Sequence, residues 1–194
     1  MPRLSFGFVL AYHGCDRHVG ERLIGGESFK SSDNDYDWLG PGVYFWEANP
    51  LRGLDWAREQ AKRKRSHIKD PYVVGAVVDL GNCLGLSTAW GIAMIRKAHA
   101  VLVESAMASG LSLPTNSAEG FIRKLDCAVI RRVHTIIDES GALEPFDSVR
   151  GIFIEGRPAY EGAAFAEKTH IQIAVRNLEC LKGVFRVPKT YLST

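Results

Sequence analysis

The sequence predicts an α+β domain, and three observations carry that reading. Short runs of β-branched and aromatic residues recur near 6–12, 43–46, 72–80, 148–155, 169–176 and 180–187, which is the composition of strands. Spans with apolar residues three and four apart lie at 50–67 and within 86–145, which is the periodicity of helices. A length of 194 residues is ample for one well-buried domain and short for two.

Phe6 to Tyr12 is apolar and ends in His13-Gly14, so it reads as a buried strand. Asp16 to Leu23 reads as a short helix closed by Gly25-Gly26. Ser28 to Trp38 is polar and turn-rich; such a surface loop either folds over a ligand or is a solvated connection. Leu39-Gly40-Pro41-Gly42-Val43-Tyr44-Phe45-Trp46-Glu47 is a stiff Gly-Pro-Gly turn running into an aromatic strand. Alternation sends Val43 and Phe45 to one face of that strand, Tyr44 and Trp46 to the other.

Pro50 suits the first turn of a helix over 50–67, with Leu54, Ala57 and Ala61 on its apolar stripe. Its end is basic: Arg58, Lys62, Arg63, Lys64, Arg65 and Lys69. A solvated face is the usual meaning of such a cluster; an acidic partner or a nucleic-acid backbone is the sharper one. Tyr72 to Leu80 is a continuous apolar strand. Residues 86–145 form a helical insertion. Its first helix runs from Gly91 to Ser109. A second starts at a capping box, Asn116 with Glu119, and reaches Glu139. Arg96, Lys97, Arg123, Arg131, Arg132 and His134 read as the wet faces of these helices. Ser148 to Glu155 is a strand, followed by a loop at 156–166. From Thr169 to Arg176 apolar Ile171, Ile173 and Val175 alternate with polar His170, Gln172 and Arg176. A tight connection at Asn177 to Glu179 leads into a last strand, Cys180 to Val187.

Composition excludes several classes. A formal charge of +2 is too mild to argue a nucleic-acid partner by itself. No apolar run reaches membrane-spanning length. The chain enters its first strand without a signal-peptide core. Cys15, Cys83, Cys127 and Cys180 are scattered without metal-ligand spacing, which fits a reducing cytoplasm and argues against a zinc site or a disulfide scaffold. No GxGxxG joins a strand to a helix and no Walker loop is present.

Two stretches together resemble the ADP-ribosyltransferase family, in its poly(ADP-ribose) polymerase and diphtheria-toxin branch. They are Tyr12-His13-Gly14 closing an apolar strand, and Leu39-Gly40-Pro41-Gly42-Val43-Tyr44-Phe45 opening an aromatic one before a helix. The likeness covers the first third of the chain and, weakly, its end. It implies an antiparallel split β-sandwich, two facing sheets around an NAD cleft, with the helical insertion packed on them. It implies an enzyme that cleaves the nicotinamide–ribose bond of NAD, its substrate, and passes ADP-ribose to an acceptor, with no metal. His13 would bond the adenosine-side ribose, Gly14 the nicotinamide carboxamide through its backbone, and Tyr44 would stack on nicotinamide. Tyr12 and Gly42 would complete the NAD-binding set. The carboxylate beside the nicotinamide-side ribose would be Glu167, with Glu161 as the alternative and His170 and Gln172 as supporting polar groups. Alternation places Glu167 on the Ile171 face unless the strand begins after it or is bulged.

Mono rather than poly transfer is expected, from a small cytoplasmic bacterial or phage toxin or effector with an antitoxin as a conceivable partner. An NAD glycohydrolase of the same fold and an inactive binding module are the rival readings. The acceptor, protein or nucleic acid, is open.

Overall fold

The structure, a computed structural model, describes residues 8–117 and 122–193. Strand β1 (Phe8–Asp16) runs through His13-Gly14; Phe6, the expected start, lies outside the described residues. The Asp16 side chain accepts from His18 N at 3.0 Å and so caps α1 (Arg17–Ile24). Strand β2 (Val43–Glu47) follows the Gly-Pro-Gly turn. Asn49 caps α2 (Pro50–Ala61) by accepting from Arg52 N, with Pro50 in the first turn. The helix stops at Ala61 rather than 67. The Ser66 hydroxyl accepts from Ile68 N, and Asp16 accepts from Lys69 N and Asp70 N, which draws the chain out of helix into β3 (Pro71–Asp79).

A short β4 (Cys83–Gly85), which the sequence pattern does not announce, precedes the helical pair. Helix α3 (Ala89–Ser109) is capped by Thr88 and closed by Gly110 in the left-handed region at φ 65°. Helix α4 (Lys124–Ser140) begins later than expected. Asn116 still caps it from upstream, its Oδ1 accepting from Leu125 N and Asp126 N at 2.9 and 3.3 Å. Its expected partner Glu119 lies outside the described residues. Strands β5 (Ser148–Phe153), β6 (His170–Val175) and β7 (Leu181–Arg186) follow, with a 3-10 turn at Leu178–Cys180 in the expected tight connection.

The strands form one seven-stranded sheet in the order β4-β5-β6-β2-β1-β3-β7, antiparallel except for β4 beside β5. This corrects the expectation of two facing sheets. The division survives in another form. β1 pairs with β3 along its whole length, from Phe8 opposite Asp79 to Asp16 opposite Pro71. Its register with β2 is confined to Ala11 opposite Glu47 and Tyr12 opposite Trp46. A β1-β3-β7 half and a β2-β6-β5-β4 half therefore meet at one short seam.

The alternation read in β2 is realised. Val43 and Phe45 join Ala11, Val74, Ile173 and Leu23 of α1 in the core of one face. On the other face α3 and α4 pack over Leu84, Val149 and Ala174, with Tyr44 against them, while Leu54 of α2 packs on Val73 and Val187. The four cysteines are free thiols. Burial pushes Cys15 up to about 12, so it stays protonated and unreactive at neutral pH.

His134 corrects the reading of α4. It is not on a wet face but buried beside Phe146, and neither ring nitrogen has a hydrogen-bond partner among the described residues. Burial, then Arg176 and Arg131, lower its pKa to about 3. The folded protein thus holds His134 neutral while the unfolded chain protonates near pH 6.5. The unfolded state binds the extra proton, so stability falls as pH drops from about 6.5 toward 3, by up to about 1.4 kcal/mol per pH unit. His134→Leu is expected to flatten the loss of urea midpoint between pH 7 and pH 5. An unchanged pH dependence would remove His134 as its cause.

Candidate functional site

The two motifs meet where β1 and β2 diverge. One residue past the seam, His13 reaches across and bonds the Tyr44 carbonyl oxygen through Nδ1 at 2.9 Å. A carbonyl only accepts, so Nδ1 carries the proton and Nε2 presents a lone pair. Burial holds the His13 pKa below its usual value against the opposing pull of that carbonyl, which keeps the ring neutral. Phe29 stands edge-on to the imidazole at 5.4 Å and Phe45 is tilted against it at 5.6 Å.

Gly14 faces α2. A Cβ there would meet the Gly53 carbonyl oxygen at 2.2 Å and the Trp56 ring at 3.1 Å, so the backbones of strand and helix touch. Gly40 lies in the left-handed region at φ 76°, and a Cβ there would meet Ile130 at 2.8 Å. Gly42 exchanges backbone bonds with Ser32, and a Cβ there would meet the Val175 carbonyl oxygen at 2.8 Å. The Tyr44 hydroxyl accepts from Leu39 N and donates to Gly40 O, both at 2.9 Å. Burial raises its pKa well above the usual phenol. The hydroxyl therefore locks the turn to its own strand. The ring is mostly enclosed by the α3–α4 packing, so only its margin remains for a ligand. Tyr12 lies across the same seam, edge-on to Phe185.

Strand β6 lies on the other side of β2, with Gln172 opposite Trp46 and Ala174 opposite Tyr44. Tyr12, Trp46, Gln172 and Gly151 thus form one row across four strands. The expected polar face of β6 exists, but its groups are engaged. Gln172 Oε1 accepts from Trp38 Nε1 at 2.6 Å. His170 is buried and stacks on Phe153, and its Nδ1 donates to the Lys168 carbonyl oxygen at 2.6 Å.

The segment 155–168 is a hairpin that extends β5 and β6. Lys168 N bonds Glu155 O, Glu167 N bonds Arg157 O, and Pro158 bridges Ala166. The register slips by one residue at Gly156, whose φ is 91°. Thr169 N bonds Ala166 O, a turn at Glu167 and Lys168 that ends strict alternation before β6 begins. Glu167 is half-exposed and paired with the exposed Arg157 at 3.5 Å. Glu161 is exposed near the hairpin tip. Among the described residues, neither carboxylate is hydrogen-bonded to His13 or Tyr44. His13 and Gly14 meet the Tyr44 backbone beside the seam, but the His13 ring lies on the Phe45 face and the Tyr44 ring on the opposite, α3–α4 face, which corrects the expectation that both line one cleft. Gly42 sits against Ser32 and Val175, and Glu167 and Glu161 stand apart on the hairpin.

Beneath the hairpin lies a charged cluster that no sequence motif marks. Arg52 Nη2 donates to both Glu155 oxygens at 3.0 and 2.8 Å, with the two side chains 10% and 8% exposed. Lys168 Nζ donates to Glu59 at 2.9 Å. Arg52 Nε and Nη1, Trp46 Nε1 and His170 Nε2 are buried without partners among the described residues. Arg52 and Glu155 are 103 residues apart in sequence, so no local pattern pairs them. A concavity of about 510 Å³ lies elsewhere, between α3, α4 and β5, with Trp38, Arg96, His99 and Arg123 on its walls. Among the described residues no group of His, Cys, Asp or Glu is arranged to hold a metal ion, and no helix is long and apolar enough to cross a membrane.

No family model matches the chain, and no solved structure matches it. The uncharacterized protein MJ0359 of Methanocaldococcus jannaschii is similar to it, at 28% identity over 75 residues. That stretch is 39% of this chain and 35% of that protein, so the match spans about a third of that protein's length.

Proposed function

We propose that this chain is a mono-ADP-ribosyltransferase that binds NAD at the β1–β2 seam, in a split-sheet fold of the ADP-ribosyltransferase kind. One observation carries the reading: the His13 bond to the Tyr44 carbonyl. It joins two motifs 31 residues apart and fixes an imidazole with its acceptor nitrogen free of that bond. A ribose hydroxyl is a donor of the matching kind. The order β1-β2-β6 supports the reading as well, because it sets the strand that follows Glu167 beside the Tyr44 strand.

In this reading His13 holds the adenosine-side ribose and the Gly14 backbone lies toward the carboxamide. Glu167 attends the other ribose. The bond between ribose and nicotinamide breaks with its electron pair leaving on nicotinamide, and positive charge grows on the sugar. A fixed carboxylate there favours the transition state over the ground state. A binding module without chemistry is the rival that one observation favours: Glu167 is already paired with Arg157.

NAD binding is expected to stabilise the fold by about 2.7 kcal/mol at a hundredfold excess over Kd, a thermal shift of several degrees for a domain of this size. His13→Ala is expected to lose most of that shift. A melting temperature that saturating NAD leaves unchanged would sink the proposal. Nicotinamide release then separates transferase or glycohydrolase from binder.

A further inference from the structure

We propose that the surface formed by the end of α2, the segment 62–69 and the 155–168 hairpin binds single-stranded nucleic acid. The binding surface stands on its own observations; that the bound strand is the acceptor of ADP-ribose rests on the transferase reading above.

Lys62, Arg63, Lys64, Arg65 and Lys69 are exposed, and none makes an ion pair among the described residues. Arg58, one turn earlier, is neutralised by Asp55. A solvated charged face usually carries both signs, as the rest of this protein does. Here Lys62 to Arg65 run as four consecutive cations with no acid paired to them among the described residues, a footprint suited to phosphates.

The same segment borders an open, shallow concavity of about 350 Å³, lined by Trp56, Gln60, Arg63, Arg65 and His67 among others. Its size is at the small end of the range of about 300–1,000 Å³ for ligand pockets. An indole wall flanked by guanidinium groups and an amide suits one unstacked base with its phosphate. Two further rings stand out on the hairpin, Tyr160 at 63% and Phe165 at 70% exposure. Hairpin and basic segment are fastened to the same helix, because Lys168 bonds Glu59, one turn before Lys62 and Arg63. Exposed rings have no base face to stack on in a duplex, whose bases are already stacked. They have one in a single strand.

Laid along this surface, a strand passes the hairpin that carries Glu167. In the transfer step a base amine forms the new bond to the ribose carbon. The bond to nicotinamide breaks with its pair on the leaving ring, and the amine proton passes to solvent.

The test is fluorescence anisotropy, without NAD, with labelled DNA and RNA single strands of about 16 nucleotides, their duplexes, and poly-glutamate. Both single strands, or one of them, are expected to bind tighter than the duplex and poly-glutamate. Replacing Lys62, Arg63, Lys64 and Arg65 together by Ser is expected to weaken binding at least tenfold at 50 mM salt. It should also flatten the slope of log K against log salt by up to about 2.8, at about 0.7 for each phosphate no longer neutralised. The exposed double variant Tyr160→Ser with Phe165→Ser is expected to weaken binding tenfold or more without changing the slope. Equal binding of poly-glutamate would overturn the proposal in favour of an acidic protein partner, and equal binding of duplex would overturn the single-strand assignment. Unchanged affinity in the basic variant would return the cluster to a solvated face. With NAD added, the oligonucleotide is expected to take up labelled ADP-ribose. Binding and nicotinamide release without labelling would overturn the acceptor role and leave the transferase reading standing. Binding without nicotinamide release would confine the strand to a bound partner.

Discussion

Glu167→Gln is expected to lower nicotinamide release by about 10²–10³-fold, the usual effect of removing one electrostatic stabiliser, while NAD affinity stays within a few-fold of wild type. The two readouts separate because the carboxylate acts on charge that exists only as nicotinamide departs. The structure gives Glu167 a fixed backbone and a lightly held side chain. Glu167 N bonds Arg157 O, the next residue bonds Glu155 O, and a turn closes at Thr169. The carboxylate itself is held by one pair to Arg157, whose side chain is 87% exposed. Such a pair is worth little, so a ligand can take the carboxylate from it at small cost. Glutamine preserves the shape and removes the charge. Glu161→Gln is the control, since its side chain lies farther along the hairpin. It is expected to keep nicotinamide release and to change only acceptor choice. The opposite pattern would move the role to Glu161. Full activity in both variants would end the carboxylate mechanism and direct attention to His170, whose buried Nε2 has no partner among the described residues.

Local chemistry is legible in this sequence, and long-range pairing is not. Alternation in Val43 to Trp46 foretells which rings enter which core, because a strand has one period and a buried face punishes the wrong one. Helix α1 is legible as a local element over Asp16 to Leu23, although Asp16 proves to be its cap rather than its first residue. The start of α4 is misplaced by pattern because Asn116 caps it from nine residues upstream of Leu125, outside the spacing that capping boxes use. The single sheet escapes pattern because it depends on the short seam of Ala11 and Tyr12 with Glu47 and Trp46, which no local signal announces. His134 reads as exposed because it falls among Arg131, Arg132 and Thr135 in sequence, yet its ring turns toward Phe146. At the candidate site, His13 and Tyr44 stand out as motifs. That they are joined through a backbone carbonyl, and that the Tyr44 hydroxyl is spent on the turn, belongs to geometry alone.

The second large effect is expected from Glu155→Leu. Arg52 would be left buried with none of its guanidinium nitrogens well satisfied, since Nε and Nη1 already have no partner among the described residues. Glu59 offers only a contact at 3.6 Å from a side chain 40% exposed. Removing one member of a buried pair costs about 3–5 kcal/mol, or about 6–20 °C of melting temperature for a domain of this size. The double variant Arg52→Met with Glu155→Leu is expected to be more stable than Glu155→Leu alone, because it leaves no buried charge unpaired. If it is no more stable, the two groups do not compensate each other and the cost lies in packing. The pair also joins α2 to the base of the hairpin, so Glu155→Leu is expected to expose Lys168, on the hairpin's other arm, to faster cleavage by trypsin under native conditions. Glu167→Gln leaves that anchor intact and is expected to show wild-type cleavage. The two variants therefore lose activity by different routes, one through a loosened hairpin and the other through a missing charge on a firm one. Comparing cleavage with turnover in the same preparations tells them apart.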